Sequence, residues 1–194
     1  MDPITKYLLN EGYLLSDKTI SVNLSEFQSG QKKKLLIVGV MGSGKTTIGE
    51  KLSKQLKVKW YSLDSFWWRI KEEHFKGRSY EDLTEKEIDK LFEFFRQNII
   101  DILKRNERAI VEGINLASPN FRSLILKQAM IILGLSSLKA GIRAAKRNRK
   151  KEDEGRMLYY WLVKKNMLQV EPLIKKLRKD VMKIPNADIK EYKI

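Results

Sequence analysis

At 194 residues, 42% of them hydrophobic, the chain is long enough for one compact domain with a sizeable core. It has no cysteine and no stretch of 18 apolar residues, which excludes disulfides, thiolate metal sites and a membrane-spanning helix and leads us to expect a soluble, cytoplasmic protein. The formal charge of +15 points to anionic partners such as nucleotide phosphates or nucleic acid.

Residues 1–31 read as an N-terminal extension ahead of a domain spanning 32–194. They mix a short amphipathic piece (Ile4, Tyr7, Leu8) with polar stretches such as SEFQSGQ, and GQKKK (30–34) has the character of a linker. Next comes KKKLLIVGV, whose continuous Leu35 to Val38 run predicts a strand buried on both faces. After a glycine-rich turn, Ile48, Leu52 and Leu56 recur every four residues, which is helical spacing.

Between that strand and that helix, Gly39, Gly44, Lys45 and Thr46 satisfy G-x-x-x-x-G-K-[ST]. A loop of this kind wraps backbone N–H groups around phosphate oxygens, and the following helix directs its positive end at the same anion. Gly39, Met41, Gly42, Ser43, Gly44, Lys45, Thr46 and Thr47 are therefore the expected contacts to a nucleoside triphosphate, taken to be ATP. Lys45 is expected to bridge the β- and γ-phosphates, and Thr46 to offer its hydroxyl to Mg²⁺.

Further short apolar runs predict strands at VKWYSLD (58–64), RAIVEGI (108–114), AMIILGLS (129–136) and ADIKEYKI (187–194). Helical patterns lie between them, notably LTEKEIDKLFEFFRQNIIDILKR, where Thr84 and Glu87 have the spacing of a capping box. Strands alternating with helices imply an α/β fold, a three-layer sandwich around a five-stranded parallel sheet, with ligands beyond the carboxyl ends of the strands. Asp64 and Glu112 both fall at such ends.

The stretch GVMGSGKTTIGEKLSKQLKVKWYSLDSF resembles the opening of the shikimate and gluconate kinases, with Asp64 aligned to their second acidic residue after the loop. Ser62 stands where a shikimate kinase usually has its first aspartate, a departure that argues against shikimate itself. IVEGINLASP is similar to the third-strand motif of uridine kinases, and EPLIKKLRKDVMKIPNADIKEYKI resembles the way such chains run into their last strand. The resemblance covers roughly residues 33–194 and implies a P-loop small-molecule kinase of the nucleoside and nucleotide kinase type. The early ITKYLLNEGYL resembles leader segments of bacteriophage proteins.

Phosphoryl transfer needs a positioned acceptor oxygen, and a carboxylate near the γ-phosphate can accept the hydroxyl proton or hold Mg²⁺ through water. Asp64 is the candidate base, and Glu112 the candidate for orienting the metal's water shell or the acceptor, so both join Thr46 on the metal side. Gly113 would permit close backbone approach, and with Asn115 and Arg69 it makes up the expected acceptor side. Phe66, Trp67 and Trp68, which follow Asp64, stand where such kinases build the acceptor pocket, although most tryptophans pack in cores. His74, the only histidine, has no partner pattern.

Residues 139–183 hold 15 Lys or Arg against 5 Asp or Glu. Arg143 and Arg147, four apart, would share a helical face. The resemblance makes residues 139–158 a lid whose arginines neutralise charge on the transferred group. These features together lead us to expect an ATP-dependent kinase that phosphorylates a hydroxyl or phosphate of a small, nucleoside- or nucleotide-like metabolite. The alternatives are a nucleotide-dependent nucleic-acid-binding or virion-associated protein that uses 139–183 as its contact, and a polynucleotide 5′-hydroxyl kinase.

Overall fold

In the computed structural model, which describes residues 19–78, 82–134 and 169–192, the first strand is β1 (Thr19–Val22). It lies in the segment that sequence reading sets apart as an extension. Ile20 and Val22 bury one face of it, at 2% and 0% exposure, and Thr19 and Ser21 are buried on the other. Burying the two aliphatic side chains stabilises the fold by about 1.5–3 kcal/mol each. After the short helix α1 (Leu24–Gln28) comes β2 (Lys34–Val38). The GQKKK run is therefore not a free linker, since its last lysine opens a strand.

The glycine turn leads into α2 (Lys45–Leu56), followed by β3 (Lys59–Ser62), α3 (Leu63–Phe75) and the long α4 (Glu85–Lys104). β4 (Ala109–Glu112) passes through two 3₁₀ turns to α5 (Arg122–Ile125) and β5 (Ala129–Ile132). The described chain ends with α6 (Glu171–Val181) and β6 (Ile189–Tyr192). The strands are shorter than the apolar runs suggest. VKWYSLD stops at Ser62, because Leu63 turns inward as the first residue of a helix and takes Asp64 with it.

Among the described residues the sheet has six strands, in the order β3-β4-β2-β5-β1-β6. β2 pairs in parallel with β4 and β5, and β3 pairs in parallel with β4. β1 runs antiparallel to both β5 and β6. The expected five-stranded parallel sheet is thus corrected to a mixed six-stranded one. β1 fills the position between β5 and β6, where Ile20 and Val22 are buried.

Alternation along the central strands divides the core in two, because successive strand residues point to opposite faces. Leu36, Val38, Val111, Met130 and Ile132 join the apolar sides of α4 and α6. Leu35, Ile37, Ile110 and Ile131 pack against Leu24 and Phe27 of α1 and Ile48 and Leu52 of α2. The result is helix, sheet and helix in three layers.

α4 buries Leu91, Phe95, Ile99 and Ile102, one stripe of a helix. Its start is the predicted capping box: Thr84 Oγ1 accepts from the Glu87 amide at 3.4 Å, and Glu87 Oε2 accepts from the Thr84 amide at 2.9 Å. The Thr84 amide, aided by Arg78, holds the Glu87 carboxyl down to about 2. At the far end of α4, the fully buried Lys34 donates its Nζ to the carbonyls of Arg105 (2.7 Å) and Glu107. Burial lowers the pKa of this ammonium, while the Glu107 charge opposes the shift.

Candidate functional site

The carboxyl ends of β2, β3 and β4 lie side by side, with Ser62 and Ile37 both in register with Glu112. The glycine turn leaves β2 at this edge and becomes α2. Gly42 and Gly44 adopt positive φ values of 78° and 90°, which side chains rarely tolerate. Gly44 is the N-cap of α2 and brings no capping side chain, so the first-turn amides of Lys45, Thr46 and Thr47 gain no side-chain cap from it, and an anion at this helix start would satisfy them. Gly39 is held close, since a Cβ there would meet Ser43 Oγ at 2.7 Å. Met41 is half-buried and Ser43 buried within the same turn.

Lys45 is buried and folds back over the loop, its Nζ donating to the Val40 carbonyl at 3.0 Å. The next residue, Thr46, donates its hydroxyl to Glu112 Oε1 at 3.1 Å. Glu112 has no exposed surface, and its Oε2 has no hydrogen-bond partner. Burial pushes this carboxyl above the usual carboxylate range. The Ser62 hydroxyl, the Lys45 charge and the Thr46 hydroxyl pull the other way, and the negative charge of Asp64 adds to the rise. The sequence-predicted Lys45, Thr46, Asp64 and Glu112 are thus brought to one edge of the sheet by three different elements, α2, α3 and β4.

Asp64 sits in the first turn of α3 and is exposed. Gly113, directly after Glu112, leaves the space that Leu63 fills, because a Cβ there would lie 2.8 Å from Leu63 Cβ. This packs the start of α3 against β4 and fixes where Asp64 emerges. Asn115 lies half-buried in the 3₁₀ turn Ile114–Ala117.

Of the aromatic run, Trp67 packs edge-on against Phe95 at 5.3 Å and is a core residue. Trp68 is 64% exposed, with Lys71 Nζ 5.3 Å from its ring centroid. Arg69 stacks over Phe66 at 4.5 Å and pairs with Glu73 at 3.8 Å. His74 is exposed and stacks on Phe94. Arg143, Arg147 and the expected lid 139–158 lie outside the described residues.

Sequence reasoning missed two contributors. Ser62, noted only as a departure from an aspartate, is buried in register with Glu112, and its hydroxyl opposes the rise of that carboxyl's pKa. Trp60 buries its indole N–H without a partner against Gly49, where a Cβ would lie 2.6 Å from Nε1 and 3.4 Å from Glu112 Cγ. Nothing in the sequence signals that contact, which depends on how α2 crosses β3 and β4. Among the described residues no group of three or more His, Asp or Glu could cage a metal. Mg²⁺ in phosphate-loop proteins does not need such a cage, since it takes a hydroxyl, phosphate oxygens and water. The buried, half-satisfied Glu112 beside the Thr46 hydroxyl fits that ion.

A family model described as an AAA domain matches residues 35–159. No curated protein matches the chain. Among solved structures it is similar to shikimate kinase from Acinetobacter baumannii in complex with shikimate, with 20% identity and a TM-score of 0.50 over 78% of this chain and 83% of that one. The likeness establishes a shared phosphate-loop α/β fold.

Proposed function

The chain belongs to the AAA-domain family, and we propose that it is an ATP-dependent kinase that transfers the γ-phosphoryl group to a hydroxyl or phosphate of a small metabolite. The observation that carries this reading is the pairing of Thr46 with the buried Glu112 beside Lys45, at the mouth of a glycine loop. A buried carboxylate with one unpaired oxygen is costly unless a cation or water joins it.

In this reading the loop amides and Lys45 hold the triphosphate, and Thr46 and Glu112 orient Mg²⁺ and its water. Mg²⁺ supplies neutralisation of phosphate charge. For a hydroxyl acceptor, Asp64 takes the proton as the acceptor oxygen bonds to the γ-phosphorus. The bond from that phosphorus to the bridging oxygen of ADP breaks, and the electron pair stays on that oxygen, whose charge Lys45 would offset. Arg143 and Arg147 are assigned to charge neutralisation on the transferred group. Gly39, Met41, Gly42, Ser43, Gly44 and Thr47 complete the nucleotide cradle, and Arg69, Gly113 and Asn115 the acceptor side.

The test is acceptor-dependent ADP release across nucleosides, nucleotides, sugars and oligonucleotide ends, comparing wild type with Asp64→Asn. Loss of turnover by about 10²–10⁴-fold with unchanged ATP affinity supports the proposal. Equal turnover of the two proteins with the best acceptor would remove Asp64 as the base.

A further inference from the structure

The opposite edge of the sheet carries a second concentration of charge. The amino ends of β4, β2 and β5 are adjacent, with Lys34 in register with Ala109 and Leu35 with Ala129. The segments preceding those strands therefore meet, and each brings cations: Lys32 and Lys33, then Lys104 and Arg105, then Lys127. They line a cleft of about 340 Å³ in which Glu26 is the one acidic residue. That volume is at the lower end of ligand-binding clefts, about 300–1,000 Å³.

Glu26 is already engaged by Lys32 at 3.1 Å, and Lys32 also donates to the Lys127 carbonyl at 2.9 Å. These contacts tie the first and third segments together. Lys33, Lys104 and Lys127 make no ion pair among the described residues. Neutralising the end of α4 would account for Lys104 and Arg105 alone. However, the Arg105 carbonyl is already bound by Lys34 Nζ, and the other three cations come from other segments.

A concave surface lined by one sign of charge focuses potential on a counter-ion, and ammonium groups hold phosphate as point charges. We infer that this cleft binds a small, multiply charged phosphate-bearing anion, separately from the nucleotide. The five residues of β2, at about 3.3 Å each, put roughly 16 Å between it and the phosphate loop, too far for one triphosphate to reach both.

Tripolyphosphate is the probe, titrated calorimetrically into the full chain with the phosphate loop saturated by ADP and Mg²⁺. One saturable equivalent is expected. Lys33→Ser/Lys104→Ser/Lys127→Ser should weaken it roughly tenfold to a hundredfold, with ADP affinity unchanged. A control triple, Lys54→Ser/Lys86→Ser/Lys176→Ser, removes the same charge elsewhere and should leave the equivalent in place. Three outcomes would overturn the inference: no saturable event once the loop is filled, equal losses in the two triples, or a single-stranded 12-mer that binds more tightly than tripolyphosphate and displaces it. The last would identify a nucleic-acid surface instead. Because ADP affinity is followed in parallel, failure here is distinguishable from failure of the kinase reading.

Discussion

The hydroxyl of Thr46 and the carboxylate of Glu112 lie 3.1 Å apart although 66 residues separate them. Thr46→Val removes the donor and leaves a buried carboxylate oxygen unpaired, which should destabilise the protein by about 1–3 kcal/mol. Glu112→Gln keeps an acceptor for that hydroxyl and removes the buried charge, so its melting temperature should match or exceed wild type. Thermal melts without nucleotide separate the two, and a Glu112→Gln protein that melts far below wild type would contradict the reading of this pair.

If the same carboxylate orients Mg²⁺, Glu112→Gln should lower kcat by about 10²–10³-fold. The Mg²⁺ concentration for half-maximal rate should rise, while affinity for metal-free ADP stays near wild type. A titration of rate against Mg²⁺ decides this.

Gly113 and Leu63 touch so closely that any Cβ on residue 113 collides with a fully buried side chain. Gly113→Ala should cost about 1–3 kcal/mol by overpacking. Leu63→Ala in the same chain should recover part of that loss, because it removes the Cδ1 and Cγ atoms that a Cβ at 113 would meet at 2.8 and 3.0 Å, although its own Cβ remains. Denaturant melts of the four proteins of the cycle measure the coupling, and strict additivity would refute the contact.

The capping box of α4 should show itself in pH dependence. The Glu87 carboxyl is held down to about 2 from an ordinary value near 4.5, so its contribution is complete above about 4.5 and disappears as pH falls through about 2. Glu87→Ala should therefore melt below wild type at pH 7, and the gap should close on acidification. Thr84→Ala should cost about 1 kcal/mol at neutral pH. A gap between wild type and Glu87→Ala that widens towards pH 2 would be the wrong sign.

β1 belongs to the folded unit, so Ile20→Ala should cost about 2–5 kcal/mol, as for any buried isoleucine. A chain begun at residue 32 should expose the edges of β5 and β6 and lose cooperative unfolding, whereas one begun at residue 17 should keep it. Calorimetry of the two truncations tests where the domain starts.

How much of this could be read from the letters alone depended on range. The phosphate loop, the central strands and the Thr84–Glu87 cap were legible because each rests on neighbours within a few residues. β1 was not, since four residues carry little periodicity and its partners are more than 100 positions away. The burial of Lys34 was hidden for the same reason: a lysine ending a GQKKK run looks solvated until the carbonyls at the end of α4 are set beside it. At the site, spacing identified Thr46 and Glu112, but their direct bond, the Ser62 hydroxyl and the packing of Trp60 depend on the crossing of α2 over the sheet. Arg69 looked available for an anion, and the fold gives it Glu73 and the face of Phe66.

The position of β1 also bears on how the molecule is assembled. Val22 is in register with Ile189, so the seat for residues 189–192 is made by a segment synthesised long before them. Residues 19–22 must wait for β5, and residues 189–192 must wait for both. Such late, long-range pairing slows folding. It also acts as a one-way clasp: undoing β1 takes the pairing partner from β6, whereas β1 keeps β5 when β6 leaves, so a protease that nicks β1 should release β6 as well.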